Sequence, residues 1–253
     1  MTCLLSQGHL LIEDLPGMGK TTLAHLLATL MGLDYQRIQF TSNLLPADVI
    51  GVSVYERRSE RFHFHKGPIF AQLILADEIN RATPKTQSAL LEAMEERQIT
   101  AEGKTRPLPQ PFFVIATQNP AHQVGTFPLP ESQLDRFLMR ISLGYPDSAT
   151  ERMLLQGQGG RQKLQRLRPV ASGTDLAHWQ LASQEVFAAD ALLDYIQALI
   201  GQSRSLSDST GLSPRAGMGL LQAVWPAIAG HRLGQGSDGD NHAAQILQTV
   251  AIP

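Results

Sequence analysis

The sequence has few of the features that mark secreted, membrane-spanning or metal-cluster proteins. Cys3 is the single cysteine among 253 residues, which excludes an intramolecular disulfide and a cysteine-based metal cluster. No uninterrupted apolar run reaches the roughly 18 residues that a membrane span needs. Residues 1–9 lack the basic start and the long apolar run of a secretory signal. We therefore expect a cytoplasmic protein without a transmembrane segment.

A charge excess of either sign is also absent. Lys and Arg number 21 and Asp and Glu number 23, which gives a formal net charge of -2. Proteins that bind nucleic acids by bulk electrostatics carry a basic excess, so the composition gives no strong nucleic-acid signal, although a local basic patch stays compatible with it. A hydrophobic content of 43% without any long biased tract is typical of a globular protein.

The first half of the chain alternates short apolar strands with amphipathic helices up to about Asp147. This is the pattern of an α/β domain built on a parallel sheet. The five predicted strands are 9–13, 35–40, 73–77, 112–117 and 139–143. A helix is predicted from about Lys20 to Met31, and Gly32 ends it.

The second half has a helical pattern without a clear strand. One predicted helix has an apolar face over residues 186–200 and ends at Gly201. Another begins with Ser213 as N-cap and Pro214 at its first position. Residues 234–240 are predicted to be a flexible, glycine-rich linker. The layout is a sheet domain followed by a small helical domain.

A glycine-rich segment joins the first predicted strand to the helix after it. The segment reads Leu15-Pro16-Gly17-Met18-Gly19-Lys20-Thr21-Thr22. In a phosphate-binding loop, glycines let backbone N–H groups curl around phosphate oxygens, and the helix N-terminus adds a favourable dipole. Lys20 would reach the β- and γ-phosphates, and the Thr21 hydroxyl would take one Mg²⁺ position. Asp14 stands where the usual motif has its first glycine, and an ordinary glycine-containing turn is the alternative interpretation.

Two carboxylates end the third predicted strand. Asp77 and Glu78 follow four small or apolar residues and therefore emerge where open α/β sheets bind ligands. Asp77 would hold Mg²⁺, mostly through water, and Glu78 would act as general base on the attacking water. Apolar strands followed by Asp-Glu are common, so the pair indicates a nucleotide site only in combination with the phosphate-loop motif upstream.

An amide side chain follows the fourth predicted strand. Asn119 precedes Pro120 and could orient the attacking water beside the γ-phosphate. On its own, an Asn-Pro pair is more simply explained as a turn.

Taken together, these residues resemble the AAA+ superfamily of ATPases and, within it, the MoxR family. The further segments that carry the resemblance are 39–48, 66–70, 77–82, 84–96 and 134–137. The match is close over about residues 8–147 and patchy beyond them. The resemblance implies a P-loop NTPase fold that binds ATP and Mg²⁺. Residues 1–147 would form a parallel-sheet α/β/α sandwich, and residues 148–253 a shortened, all-helical lid domain.

The resemblance gives roles to two arginines. Arg136 matches the arginine finger, a cation that one subunit inserts into its neighbour's site and that is typically worth about 10³–10⁵ in rate. A solvated arginine or a local ion pair is the alternative. Arg215 matches the second sensor, which would touch the phosphates from the lid and couple nucleotide state to lid angle. An arginine without a ligand at a helix start is its alternative.

Two β-hairpins are predicted as well. They join residues 52–56 to 61–65 and residues 97–100 to 106–108. In related AAA+ proteins such hairpins face the ring centre or a partner. His63 and His65 lack an acidic or cysteine companion at ligand spacing, so a surface role explains them better than a metal site.

The function implied by the resemblance is ATP hydrolysis by a homo-oligomeric ring, a hexamer in this family. Relatives of the MoxR type resemble chaperones that remodel or mature protein complexes, often with a von Willebrand factor A domain protein. An alternative is a nucleotide-gated binding or regulatory protein with little or no ATPase activity. It would follow from the short N-terminus and the shortened lid, whereas Glu78 argues against it. A small-molecule kinase leaves Asn119, Arg136 and Arg215 unexplained, and a DNA motor is disfavoured by the lack of a basic excess.

Overall fold

A computed structural model describes residues 1–119, 125–156, 167–185, 188–205 and 211–233 of the chain. The strands in these residues are β1 (Leu10–Glu13), β2 (Tyr35–Gln39), β3 (Gly51–Glu56), β4 (Arg61–Lys66), β5 (Leu73–Asp77), β6 (Gln98–Ala101), β7 (Lys104–Pro107), β8 (Phe113–Gln118) and β9 (Met139–Ile141). The α-helices are α1 (Thr2–Leu5), α2 (Lys20–Leu30), α3 (Pro46–Ile50), α4 (Pro84–Glu96), α5 (Glu131–Leu134), α6 (Ser148–Leu155), α7 (Gly173–Gln184), α8 (Asp190–Ser205) and α9 (Pro214–Leu233).

Five of the strands form one parallel sheet in the order β2-β5-β8-β1-β9. The inner strands β5 and β8 are buried over their whole length, as expected for strands covered on both faces. Because all five strands run in the same direction, their carboxyl ends share one edge of the sheet, here called the carboxyl edge. Their starts share the opposite border, here called the amino edge.

Different helices cover the two faces of the sheet. Along β5, Ile74 and Ala76 belong to a core cluster shared with α3 and α4. Leu73 and Leu75 belong to a second cluster shared with α1, α2, α7, α8 and α9. The alternation follows from the period of two in a strand. The fold is therefore an α/β/α sandwich, and none of its described helices has both the length and the hydropathy to cross a membrane.

The described residues after position 147 contain helices only, and they are joined to the core through α1. The Gln180 amide donates a hydrogen bond of 2.8 Å to the Leu4 carbonyl. The Ser6 hydroxyl donates one of 3.0 Å to the carbonyl of Gln222 on α9. These bonds fix α7 and α9 against the α2 side of the sheet.

The two predicted hairpins are present, as β3–β4 and β6–β7. They touch each other, because the Arg106 guanidinium lies 3.7 Å from the centre of the Phe64 ring and Ser53 donates a hydrogen bond to Glu102. His63 lies 3.2 Å from Glu56 and 3.0 Å from Ser59. No group of three His, Cys, Asp or Glu side chains that could hold a metal ion occurs in the part of the chain that the structure describes.

The predicted strands and the first helix are confirmed to within one or two residues at their ends. Gly32, with φ of 57°, follows α2 as predicted. Ser213 accepts a hydrogen bond of 2.9 Å from the Ala216 N–H, so it caps α9 as predicted. The predicted linker 234–240 lies outside the described residues.

The predicted end of a helix at Gly201 is wrong, because α8 continues to Ser205. A glycine inside a helix costs only about 1 kcal/mol relative to alanine, which packing can offset. Ile196 and Ile200 pack into the core on this helix. The last turn is also held by Arg204, whose Nε donates a hydrogen bond of 3.1 Å to the Leu212 carbonyl.

Candidate functional site

The segment between β1 and α2 has the backbone of a phosphate-binding loop. Gly17 and Gly19 have φ values of 90° and 82°, in the left-handed region that favours glycine. A Cβ atom at either position would meet nothing within 4 Å, so the backbone conformation rather than crowding requires glycine there. Gly19 is the N-cap of α2, and Thr21 and Thr22 are exposed just after it. The loop therefore leaves open space at a helix start, where backbone N–H groups have no partner in the helix.

Lys20 turns back onto this loop. Its Nζ donates hydrogen bonds to the carbonyl oxygens of Asp14, at 2.6 Å, and Leu15, at 3.1 Å. Burial lowers the pKa of Lys20, and the nearby carboxylates of Asp14, Asp77 and Glu78 oppose that shift. One ammonium group thus lies within electrostatic reach of three carboxylates.

Asp14 has a structural role at the position of the missing first glycine. Its carboxylate accepts hydrogen bonds from the Ser142 hydroxyl and the Gly144 N–H, both at 3.2 Å, and from the Leu143 N–H. Burial alone would raise the pKa of Asp14, but the bonds from Leu143, Gly144 and Ser142 outweigh it and lower the pKa. The acid therefore ties the loop to the chain that follows β9, which sequence reasoning did not anticipate.

Asp77 lies at the end of β5 and has partners on both oxygens. Its Oδ1 accepts a hydrogen bond of 2.6 Å from the Thr117 hydroxyl. Its Oδ2 accepts two from the Arg37 guanidinium, at 2.6 Å from Nη2 and 3.1 Å from Nε. The carboxylate that is predicted to hold Mg²⁺ is thus oriented by Thr117 on β8 and by Arg37 on β2.

Glu78 is held by three side chains. Its Oε2 accepts a hydrogen bond of 3.1 Å from Gln39 and forms an ion pair of 3.0 Å with Arg81, and its Oε1 accepts one of 3.3 Å from Asn119. The backbone of Glu78 is left-handed, with φ of 56°, and its N–H donates to the Thr117 hydroxyl at 2.9 Å. The structure therefore brings Glu78 and Asn119 together, at the same edge as the loop.

This carboxyl edge fits a magnesium nucleotide. Mg²⁺ takes oxygen ligands, and the Thr21 hydroxyl and the Asp77 carboxylate are of that kind. The glycine loop and the Lys20 ammonium suit phosphate oxygens, which lie readily at a helix start. The residues predicted to hold the nucleotide and the metal thus lie at the ends of β1 and β5, two strands separated by β8, at one border of the sheet.

Arg136 and Arg215 lie elsewhere, at the amino edge. Both pair with Glu95 near the end of α4: Arg136 Nη2 lies 2.9 Å from Oε2, and Arg215 Nη2 bonds to Oε1. His9, the residue before β1, contacts the Met94 carbonyl at 3.2 Å, which places this end of α4 at the amino edge. Arg136 and Arg215 therefore lie close to each other, on either side of Glu95, and not close to Lys20.

A cavity of about 500 Å³ separates this part of the core from α9. Glu95, Arg136 and Arg215 line it, whereas residues 14–22 do not. Asp135 accepts hydrogen bonds of 2.9 and 3.0 Å from the Ser213 hydroxyl, which fixes the start of α9 beside the cavity. The length of β1, roughly 13 Å at the usual rise of a strand, separates this region from the phosphate loop of the same chain.

Sequence reasoning missed the residues that hold the predicted ones: Arg37, Gln39, Thr117 and Glu95. A signal for two of them exists. Arg37 and Gln39 alternate as polar residues near the end of β2, at the edge where the carboxylates emerge. Glu95 gave no such signal, because it lies 120 residues from Arg215 in the sequence.

Several known proteins resemble this chain in sequence and in fold. A family model described as "ATPase family associated with various cellular activities (AAA)" matches residues 9–139. YeaC of Bacillus subtilis is 46% identical over 234 residues, which cover 92% of this chain and 73% of that protein. Chaperone MoxR1 of Mycobacterium tuberculosis is 41% identical over 287 residues, covering 99% of this chain and 76% of that protein. A crystal structure from Cytophaga hutchinsonii, provisionally described as an ATPase, has a TM-score of 0.79 at 33% identity and covers 100% of this chain and 88% of that one.

Proposed function

The chain belongs to the MoxR family of AAA+ ATPases, and on this premise we propose that it binds and hydrolyses ATP with Mg²⁺ in a homo-oligomeric ring that remodels partner proteins. The observation that carries the proposal is the meeting of Lys20, Asp77, Glu78 and Asn119 at the carboxyl edge, beside a loop with two left-handed glycines. A turn without a ligand would not require this set of groups.

Residues 16–22 would bind the phosphates. Lys20 would exchange the carbonyls of Asp14 and Leu15 for phosphate oxygens, a charge-assisted contact that is stronger than the neutral one it replaces. Thr21 and Asp77 would hold Mg²⁺, which when bound neutralises negative charge on the phosphate oxygens. Thr117 and Arg37 keep the Asp77 carboxylate in a fixed orientation for this role.

Glu78 would take the proton of the attacking water, and Asn119 would orient that water beside it. The separation of 3.3 Å between the Asn119 amide and the Glu78 carboxylate supports a shared task. Gln39 and Arg81 also bond to Glu78, so the base is held in place in this structure.

Arg136 and Arg215 would act on the nucleotide of a neighbouring subunit. Their position at the amino edge supports this role, because the sheet lies between them and the loop of their own chain. A ring follows, since each finger needs a neighbour, and we propose the hexamer of the family.

The remodelling role is supported by the name of one relative and by an exposed aromatic surface. MoxR1 is named a chaperone. On hairpin β3–β4, Tyr55 and Phe62 are 49% and 72% exposed, and their ring centres lie 5.3 Å apart. We propose that this aromatic pair contacts protein clients or a von Willebrand factor A domain partner in the cytoplasm. Residues 148–253 would serve as the lid domain.

The test is ATP turnover per subunit over a wide range of protein concentration, for the wild type, Glu78→Gln and Arg136→Ala. Turnover should rise with concentration as rings form, and both variants should lose it while still binding nucleotide. Lys20→Ala should abolish nucleotide binding. If the wild type turns over at background at every concentration and yet binds ATP, the chain is a nucleotide-gated binder instead.

A further inference from the structure

Two buried amide side chains, those of Asn80 and Gln87, lie next to the predicted base and take no part in the proposed hydrolysis steps. Asn80 is 2% exposed and Gln87 is 1% exposed. Asn80 belongs to a short 3₁₀ turn, Ile79–Arg81, that follows Glu78, and Gln87 lies near the start of α4. Burial of an amide costs free energy unless the amide is hydrogen-bonded, so the partners of these two groups indicate why both positions are polar.

Asn80 holds the residue that is predicted to orient the attacking water. Its side-chain amide donates a hydrogen bond of 3.1 Å to the backbone carbonyl of Asn119. Asn119 is the first residue after β8, and its own side-chain amide lies 3.3 Å from Glu78 Oε1. The bond from Asn80 therefore restrains the backbone from which the Asn119 side chain reaches the predicted base.

Gln87 binds the 3₁₀ turn and a later part of the chain at the same time. The Gln87 amide donates a hydrogen bond of 2.9 Å to the Phe127 carbonyl, and the Phe127 N–H donates one of 2.6 Å to the Asn80 carbonyl. The same amide lies 3.2 Å from the Ile79 carbonyl and 3.1 Å from the Ala82 carbonyl. The backbone at Phe127 is thus fixed to the turn that follows the predicted base.

The position of Asn80 requires a hydrogen-bond donor. Its Oδ1 is buried and accepts no hydrogen bond from any residue that the structure describes. A carbonyl oxygen can only accept, so the NH₂ group of Asn80 must face Asn119. A carboxylate or an apolar side chain of similar shape would fill the same space without making this bond.

We propose that Asn80 and Gln87 are positioning residues for Asn119: they fix the backbone at Asn119 and at Phe127, and so keep the Asn119 side chain beside Glu78 during hydrolysis. The inference rests on the proposed function. Within the described residues, both amides donate only to backbone carbonyls, and none of these belongs to a residue predicted to hold phosphate or Mg²⁺. The two amides therefore act on the hydrolysis step and not on nucleotide binding.

The experiment compares hydrolysis with nucleotide binding in the full chain carrying Asn80→Asp. This change exchanges the amide donor for a carboxylate of the same shape, which would repel the Asn119 carbonyl. The single-turnover rate constant of ATP hydrolysis, measured with protein in excess at concentrations where rings form, should fall by about ten- to hundredfold. Binding of a non-hydrolysable ATP analogue should stay within about twofold of the wild type, because the phosphate loop is untouched.

Two further variants separate positioning from loss of stability. Gln87→Met keeps the length of the side chain and loses the donor without adding charge, so it should lower the rate constant by about three- to tenfold. It also keeps the comparison possible if Asn80→Asp does not fold. Gln180→Met is the matched control, because Gln180 is also buried but donates to the Leu4 carbonyl, on the α2 side of the sheet. Its rate constant should stay within about twofold of the wild type.

A second readout tests whether the amides act through Asn119. In an Asn119→Ala background, Asn80→Asp and Gln87→Met should each lower the rate constant by less than about twofold, because the side chain that they position is gone. The same fall in both backgrounds, or an unchanged rate constant in Asn80→Asp and Gln87→Met, would overturn the inference alone. A wild type that binds ATP and hydrolyses it only at background would overturn the proposed function and the inference together.

Discussion

The carboxyl and amino edges of the sheet differ in their charge arrangement. At the carboxyl edge the Lys20 ammonium lies within reach of three carboxylates, of which Asp77 and Glu78 also pair with Arg37 and Arg81. At the amino edge one carboxylate, that of Glu95, lies between the guanidinium groups of Arg136 and Arg215. A nucleotide would add further negative charge to the first edge, which Mg²⁺ and the guanidinium groups at the amino edge of a neighbouring copy would balance. The contrast suggests that the two edges are halves of one site, brought together when copies of the chain associate.

The largest effect is expected when two variants are mixed, one with the carboxyl edge disabled and the other with the amino edge disabled. Glu78→Gln and Arg136→Ala alone should each lose about 10³-fold in turnover. A one-to-one mixture should recover activity, because some interfaces unite the intact carboxyl edge of one variant with the intact finger of the other. Random mixing leaves about one such interface in four, so about a quarter of wild-type turnover is expected.

The control for this mixture is a chain that carries both changes. Mixing it with either single variant should recover nothing, because every interface then lacks Glu78 or a finger. A one-to-one mixture of the single variants that stays inactive, although both bind nucleotide and form rings, would show that each subunit uses its own two edges.

Protonation of buried groups at the two edges should also lower the free energy of unfolding in different pH ranges. His9 at the amino edge is buried, and burial lowers its pKa to about 4, with Arg97 adding to the shift. The unfolded chain therefore binds the proton first, so the contribution of His9 is complete above pH 6.5 and is lost as the pH falls toward 4. The loss amounts to about 3 kcal/mol in the free energy of unfolding. Urea denaturation of the wild type between pH 7.5 and 4 measures it.

His9→Gln separates this effect from other titrations. The variant should be less stable than the wild type at pH 7.5 and should lose about 3 kcal/mol less on acidification to pH 4. At the carboxyl edge, Asp14 has a lowered pKa, so its contribution is lost only below the ordinary value of 3.8. An unchanged pH slope in His9→Gln would contradict the assignment of the amino edge as the first to weaken.

The difference between the edges also shows what the sequence could predict. The carboxyl edge was predictable, because Lys20, Asp77 and Asn119 each follow a strand whose apolar run is visible, and parallel strands bring such positions together. The amino edge was not, because Glu95 meets Arg215 across 120 residues and no local pattern marks it. Arg37 lies between these cases: its strand was predicted, but its contact with Asp77, 40 residues away, depends on strand order. Sequence patterns locate side chains on elements, whereas pairing of elements decides which charges meet.

The smallest predicted effect concerns Glu95, whose removal would leave the two arginines facing each other. The Glu95 side chain is 35% exposed, so its ion pairs add little to overall stability. Its larger effect should be on the alignment of the two arginines. Glu95→Gln should lower turnover by about tenfold at concentrations where rings form, because Arg136 and Arg215 are no longer held together. Turnover and hydrogen exchange of residues 213–219 measure the change.

Glu96, the next residue on α4 and also exposed, provides the matched control. Glu96→Gln should leave turnover and exchange at the start of α9 as in the wild type. If Glu95→Gln behaves like Glu96→Gln, the arginines are aligned by the neighbouring subunit alone, and the amino edge is ordered only on assembly. If Glu95→Gln speeds exchange at residues 213–219 and lowers turnover together, the edge is arranged before the subunits meet, since one carboxylate then supports both the docking of α9 and the position of Arg136.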